Sequence, residues 1–290
     1  MCDHHDHDHD HDHGDGHDDH DHDHDHDHGD GHEQADEDDG DGGYGAHEDD
    51  AIRIAVTGKG GVGKSTLAAA LATELARETD VLAIDADPDA NLARAIGCAN
   101  PPAITGEREL IEGRVGERGG LLTLTPEVDD VLESHSSTFA SGGRLLTIGA
   151  PTGGNTGCLC PENSFVQSLV RSALETDHVV MDMEAGIEHL GRGTADAVDA
   201  MLVVVEPSLA SLDTAERIET LAADLEIPTY AIVNKARGDV STVTDTLEMP
   251  VLATLEYDER VAEAALRGDP VVEASLDLRE GVRDVIESIR

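Results

Sequence analysis

The sequence predicts an α/β fold, a mostly parallel sheet with helices on both faces, preceded by a disordered tail. Three observations carry that prediction. Apolar, β-branched runs recur at residues 51–57, 81–84, 144–150, 178–183, 201–205, 229–233 and 251–255, with helical segments following them in turn. These strands are apolar almost without interruption, as in a parallel sheet covered on both sides. A glycine-rich stretch joins the first strand to the first helix, and it sets the reading of everything after it.

That stretch is Gly58-Lys59-Gly60-Gly61-Val62-Gly63-Lys64-Ser65-Thr66. It has the spacing of a phosphate-binding loop, and a strand before it with a helix over 65–77 after it is the context such a loop needs. Its glycines let backbone N–H groups close on phosphate oxygens. The first turn of the helix adds unpaired donors and the positive end of its dipole. Lys64 is expected to bring charge to the β- and γ-phosphates and Ser65 to ligate Mg²⁺, with Gly58, Gly60, Gly61, Val62, Gly63 and Thr66 completing the contacts.

Strand 81–84 runs into Asp85-Ala86-Asp87-Pro88-Asp89. Acidic residues at the carboxyl end of a strand beside the phosphate loop lie where ligands bind in an open parallel sheet. Asp87 there can orient or activate an attacking water, or hold Mg²⁺ through water. The plainer alternative is a polar turn in which Asp89 caps the next helix. Residues 98–143 mix Gly, Pro and charge, and only a short helix over 107–114 is predicted within them.

After strand 144–150 comes Gly157-Cys158-Leu159-Cys160-Pro161, and Pro161 opens an amphipathic helix over 161–175. The two cysteines therefore precede a helix N-terminus, where a thiolate is stabilised. Strand 178–183 carries Asp182, in the strand-then-Asp pattern that serves the Mg²⁺ shell, and Gly186 four residues on is placed to offer a backbone N–H to the γ-phosphate. Asn234-Lys235-Ala236-Arg237 ends a later strand. An Asn side chain presents both donor and acceptor, which is what an adenine edge offers. Arg237 stands where the similar guanine-reading motif has Asp, so ATP is expected rather than GTP.

Composition divides the chain into two parts, 1–50 and 51–290. Residues 1–50 hold 22 of the 63 acidic residues, 14 of the 17 histidines and no Lys or Arg. The remaining residues carry 41 acids against 19 bases, a formal charge of −22. Only Lys59, Lys64 and Lys235 are lysines, and the other sixteen bases are arginines. Such a surface suits a halophile's high-salt cytoplasm, where screening offsets self-repulsion. Where lysine is retained in such a chain, chemistry is the expected reason. A negative surface disfavours nucleic acid and anionic membranes as partners. No apolar run reaches the length of a membrane span, and residues 1–30 lack the basic start and apolar centre of a signal peptide, so a cytoplasmic protein is expected.

The tail alternates His and Asp through His7, His9, His11 and His13, and again through His20, His22, His24, His26 and His28. Nothing in it can bury a core, so disorder is expected. An engineered tag, a solubilising tail and a metal store are the competing readings. Tags are usually unbroken His runs, and solubility needs only acids. Imidazole ligands suit Ni²⁺ and Zn²⁺, which favours the store.

The loop with a lysine directly after its first glycine resembles the deviant phosphate loop of the MinD/ParA/nitrogenase iron-protein class of P-loop ATPases, over about residues 51–290. Within that class, the runs Gly157 to Asn163 and Asp182-Met183-Glu184-Ala185-Gly186 through Gly193 are similar to the CooC family, accessory ATPases of nickel insertion into carbon monoxide dehydrogenase. The resemblance implies a homodimer in which Lys59 reaches the partner's nucleotide, Asp87 serves hydrolysis, and Cys158 and Cys160 bind metal between subunits. Two cysteines at i and i+2 offer one ion two thiolates, half of a four-sulfur shell, and a twofold axis supplies the rest. The His-rich tail is not part of that family pattern; it resembles nickel-storing maturation GTPases.

The leading expectation is therefore an ATP-hydrolysing metallochaperone that serves a client metalloenzyme. A partitioning or cell-division switch of the MinD/ParA type is the second reading. An ATPase with an iron–sulfur cluster on the same cysteines is the third.

Overall fold

The structure, a computed structural model, describes residues 51–115, 127–150, 161–176, 178–184 and 198–290. Its strands are β1 (Arg53–Gly58), β2 (Val81–Asp85), β3 (Ser137–Thr138), β4 (Arg144–Thr147), β5 (His178–Asp182), β6 (Ala200–Val205), β7 (Thr229–Ala236) and β8 (Val251–Glu256). They form one sheet in the order β3-β4-β2-β5-β1-β6-β7-β8. Every pairing is parallel except β3 with β4.

Alternation along the strands sorts the core into two layers, because successive side chains in a strand point to opposite faces. Ala55, Leu82, Ile84, Val179, Met181 and Val203 face one layer. There they meet α3 (Arg108–Val115), α4 (Asp129–Ser134), α5 (Pro161–Thr176), α6 (Leu209–Asp224) and α7 (Ser241–Thr246). Ile54, Val56, Val81, Ala83, Val180, Leu202 and Ile232 face the other. There they meet α1 (Lys64–Leu75), α2 (Leu92–Ile96), α9 (Val271–Ala274) and α10 (Leu276–Ile289), while α8 (Glu259–Arg267) lies at that layer's margin.

Helix α1 is buried almost all round, which its alanines permit: Ala68, Ala69, Ala70 and Ala72 have no accessible surface and let it settle against the sheet, α2 and α10. A charged clamp closes that packing. The Glu74 carboxylate, 2 % exposed, accepts from Arg77 at 2.8 Å and Arg283 at 2.9 Å and forms an ion pair with Arg279 at 2.9 Å. Burial by itself would raise its pKa; Arg77, just past α1, and Arg279 and Arg283 of α10 together overrule it, and the pKa lies below the ordinary value of 4.5.

The topology reverses direction around β1. The chain steps from β1 outward to β2 and β4, returns to insert β5 beside β1, then builds β6, β7 and β8 on the other side. Ligands bind at such a switch point, outside the carboxyl ends of the strands. Register puts those ends level, with Val56 opposite Asp182 and Asp85 opposite Asp182.

The predicted elements are present with shifted ends, and residues 98–143 hold more than expected. A short 3-10 turn Ile104–Gly106 precedes α3, and α4 and β3 follow before β4. Both are too short for periodicity to reveal. Strand β4 stops after Thr147: the Ile148 N–H makes the last rung on the Asp85 carbonyl, the Ile148 carbonyl accepts from Thr105, and Gly149 adopts φ +86°. Strand β7 runs three residues beyond its predicted end. Among the described residues no helix is long and apolar enough to cross a membrane.

Candidate functional site

The phosphate-type loop connects β1 to α1 with backbone that only glycine adopts easily. Gly58 at φ +142° lies against the Val204 carbonyl, where a Cβ would collide. Gly63 at φ +106° lies against the Asn234 side chain in the same way. Val62, with no accessible surface, anchors the loop in the core. Gly63 is the N-cap of α1 in left-handed conformation; no side chain caps the helix, and its first turn carries no acid. The first N–H groups of α1 are thus left for a ligand, and an anion is what they suit.

Three carboxylates gather below the loop. Asp87 pairs with Lys64 at 3.3 Å, both side chains about nine-tenths buried, and its other oxygen accepts from the Asp89 N–H at 3.0 Å. Asp85 is fully buried and accepts from the Leu92 N–H at 3.0 Å and the Asp87 N–H at 3.3 Å. It therefore holds the 86–91 turn from inside. Asp89 caps nothing: α2 starts after Asn91 without a side-chain cap, and Asp85 takes its first N–H. Burial, reinforced by Asp87, raises the Asp85 carboxyl to about 6.

Asp182 at the end of β5 is as buried as Asp85 but lacks its hydrogen bonds. It is fully buried, and neither carboxylate oxygen has a hydrogen-bond partner. Burial raises its pKa to about 7, with Asp85 and Asp87 adding to the rise and Ser65 and Lys64 opposing it. The Ser65 hydroxyl faces it without reaching hydrogen-bond geometry. Two bare carboxylate oxygens beside a hydroxyl are a donor set that fits a hard cation such as Mg²⁺.

Two concavities flank the loop. A smaller cavity of about 290 Å³ is bounded by Gly60, Lys64, Ser65, Asp87, Asp89 and Glu184, and the Glu184 carbonyl is held by the Thr57 hydroxyl at 2.9 Å. A larger one of about 730 Å³ runs from Gly61, Gly63 and Thr66 past Asn234 to Tyr257 and Asp258. Asn234 donates to the Val62 carbonyl at 2.8 Å, and Arg237 stacks on the Tyr257 ring at 3.8 Å. Among the described residues the Lys59 ammonium forms no ion pair, and Lys59 is half-exposed.

The structure thus brings together Gly58 to Thr66, Asp87, Asp182 and Asn234. Gly186, Cys158, Cys160 and the tail histidines lie outside the described residues. Sequence reasoning singled out Asp87 and passed over Asp85, although both stand in the same Asp-Ala-Asp; the signal was there in the strand end. The reach of Lys235 to the loop had one faint signal, the scarcity of lysine.

The model of the CobQ/CobB/MinD/ParA nucleotide binding domain matches residues 54–271. The chain belongs to that family. Among its curated relatives is the carbon monoxide dehydrogenase accessory protein CooC of Rhodospirillum rubrum, 42% identical over 235 residues, 75% of this chain and 88% of that protein. An ATP-binding protein of Methanocaldococcus jannaschii is 37% identical over 234 residues, 76% and 91% of the two chains. Two solved structures share the fold. The ParA family ATPase of Chlorobium tepidum has TM-score 0.61 at 21% identity, covering 81% of this chain and 97% of that one. MinD of Pyrococcus horikoshii, solved with Mg-ADP, has TM-score 0.59 at 18% identity, covering 82% and 96%. The CobQ/CobB/MinD/ParA assignment makes the protein a P-loop ATPase, and the loop, the carboxylates and the two cavities are the parts such an enzyme needs.

Proposed function

We propose that this ATPase is a metallochaperone, loading nickel or a similar divalent ion into a client metalloenzyme from a site made by Cys158 and Cys160 of two subunits. The observation that carries the reading is the Cys158-Leu159-Cys160 pair in a chain 42% identical to the CooC accessory protein. The His/Asp tail supplies a metal store as well, with His7 to His13 and His20 to His28 as its ligands. An axis-related pair of thiolates completes a four-sulfur shell that one subunit cannot offer.

ATP phosphates lie on Gly58 to Thr66, with Lys64 leaving Asp87 for the β- and γ-phosphates. Freed of Lys64, the Asp87 carboxylate is available to hold the attacking water, and the 290 Å³ cavity around it has room for the γ-phosphate. Ser65 and Asp182 would hold Mg²⁺, which when bound neutralises charge on the phosphate oxygens. A carboxyl raised to about 7 by burial ionises fully when a cation arrives. The purine enters the 730 Å³ cavity. There the Asn234 amide nitrogen is engaged on the loop, which leaves its oxygen to accept from the adenine amino group. Gly186 offers an N–H to the γ-phosphate, and Lys59 acts on the nucleotide of the second subunit.

The partitioning or cell-division reading has less to support it. Helix α10 turns Leu278, Val282, Val285 and Ile286 into the core against α1, so its apolar face is spent on folding rather than free for a membrane. Metal analysis of natively purified full-length protein tests the proposal. Nickel or zinc should copurify and shift in affinity between ATP and ADP; protein that binds neither metal in either nucleotide state would contradict it.

A further inference from the structure

Lys235 is one of three lysines in the chain, and like the other two it sits at the phosphate loop. It stands in β7 with φ +55°, a left-handed conformation that a non-glycine residue adopts only when its surroundings impose it. The β7–β8 register breaks between Val233 and Ala236 at the same place. In a regular strand Asn234 and Lys235 would point to opposite faces. Here both reach the loop, on consecutive carbonyls: Asn234 Nδ2 donates to Val62 and Lys235 Nζ to Gly61.

A planar trans peptide directs the C=O of one residue and the N–H of the next to opposite sides. Holding the Val62 carbonyl toward β7 therefore turns the Gly63 N–H away from β7. Holding the Gly61 carbonyl does the same for the Val62 N–H, which is otherwise tied only by a long 3.4 Å turn bond to the Lys59 carbonyl. These are donors that a phosphate needs. Lys235 does not act as phosphate charge. Its ammonium also pairs with Glu206 at 3.5 Å, and the Glu206 N–H is fixed in turn on the Ser211 hydroxyl of α6 at 3.1 Å. A lysine suits this post because one compact ammonium, with three rotatable donors, can serve a carbonyl and a carboxylate together.

We infer that Lys235, braced by Glu206, is a positioning residue that pre-sets the 61–63 peptides for the β-phosphate of ATP or ADP. The inference rests on the placement of the phosphates at residues 58–66. Its test uses full-length Lys235→Met, Glu206→Gln and Lys64→Ala beside the parent, with MgATP and MgADP titrations, steady-state hydrolysis and nucleotide-free thermal midpoints. Lys235→Met should raise Kd for both nucleotides about tenfold, the effect of one hydrogen bond to a charged group. KM should rise with it, kcat should fall by a smaller factor, and the nucleotide-free midpoint should hold. Glu206→Gln, at the solvent rim, should move Kd the same way by about threefold.

Unchanged Kd in both variants overturns the inference. So does a loss confined to kcat, or an affinity loss that only follows a lower nucleotide-free midpoint. Lys64→Ala separates the two levels. If it loses binding while Lys235→Met does not, only the positioning role fails; if Lys64→Ala binds as the parent does, the phosphate placement fails and the positioning role with it.

Discussion

Asp87→Asn separates binding from hydrolysis, because Asp87 has two duties that pull in opposite directions. Without nucleotide it holds Lys64 at 3.3 Å in a nearly dry site. At an effective dielectric near 20, two unit charges at that distance attract by about 5 kcal/mol. ATP has to replace that pair before Lys64 can serve the phosphates. Asparagine keeps the shape of Asp87 and removes the charge, so Lys64 is released at less cost and no carboxylate faces the γ-phosphate. Most of the 5 kcal/mol is matched by the incoming phosphates, which leaves an expected gain of about 1.4 kcal/mol, tenfold in Kd for MgATP. Turnover should fall by roughly 100-fold or more, the usual range for losing a group that positions or accepts a proton. Equilibrium binding of a fluorescent ATP analogue and single-turnover hydrolysis measure the two quantities. Weaker ATP binding together with lost turnover would refute the reasoning, since it would make the Lys64–Asp87 pair a support of the binding conformation rather than its competitor.

Two further outcomes follow from the same structure. Glu74→Gln should destabilise the fold by about 3 kcal/mol, the loss of one partner from a buried charged cluster. The folded pKa of Glu74 is depressed, so its contribution is present above 4.5 and disappears as pH falls below it. Chemical denaturation from pH 7 to 3 should show a shallower acid limb in the variant, and parallel curves would remove Glu74 as the origin. Lys59→Ala should lower hydrolysis while leaving ATP binding largely intact, because its charge would act on the second subunit's nucleotide in the transition state. Equal losses in Kd and kcat would place Lys59 in its own subunit's ground-state contacts.

The phosphate loop was legible because three of its four glycines answer a local demand, a positive φ at Gly61 and Gly63 and close backbone approach at Gly58. The sheet was legible for a related reason, since strands buried on both faces leave no polar alternation to confuse the pattern. Contacts made far along the chain were not. Lys235 meets Gly61 across 174 residues. The short reach of Asp85 to Leu92 was hidden for another reason, a strand end that reads as merely acidic. Helix α4 and strand β3 span six and two residues, too few to show a period. The Asn234 motif was recognised as nucleotide chemistry, yet its bond to Val62 shows a structural duty that no sequence spacing announces.

Nickel equivalents that depend on the cysteine pair decide whether Cys158 and Cys160 hold one ion between two subunits. Full-length protein and its Cys158→Ser/Cys160→Ser variant would be titrated with Ni²⁺ in MgADP and in a non-hydrolysable MgATP analogue, so that the tail histidines contribute equally and cancel in the difference. The expected difference is half an ion per chain, one ion per dimer, with an affinity that changes between the two nucleotides. A difference of one ion per chain, of none, or of half an ion held equally in both nucleotide states would contradict it.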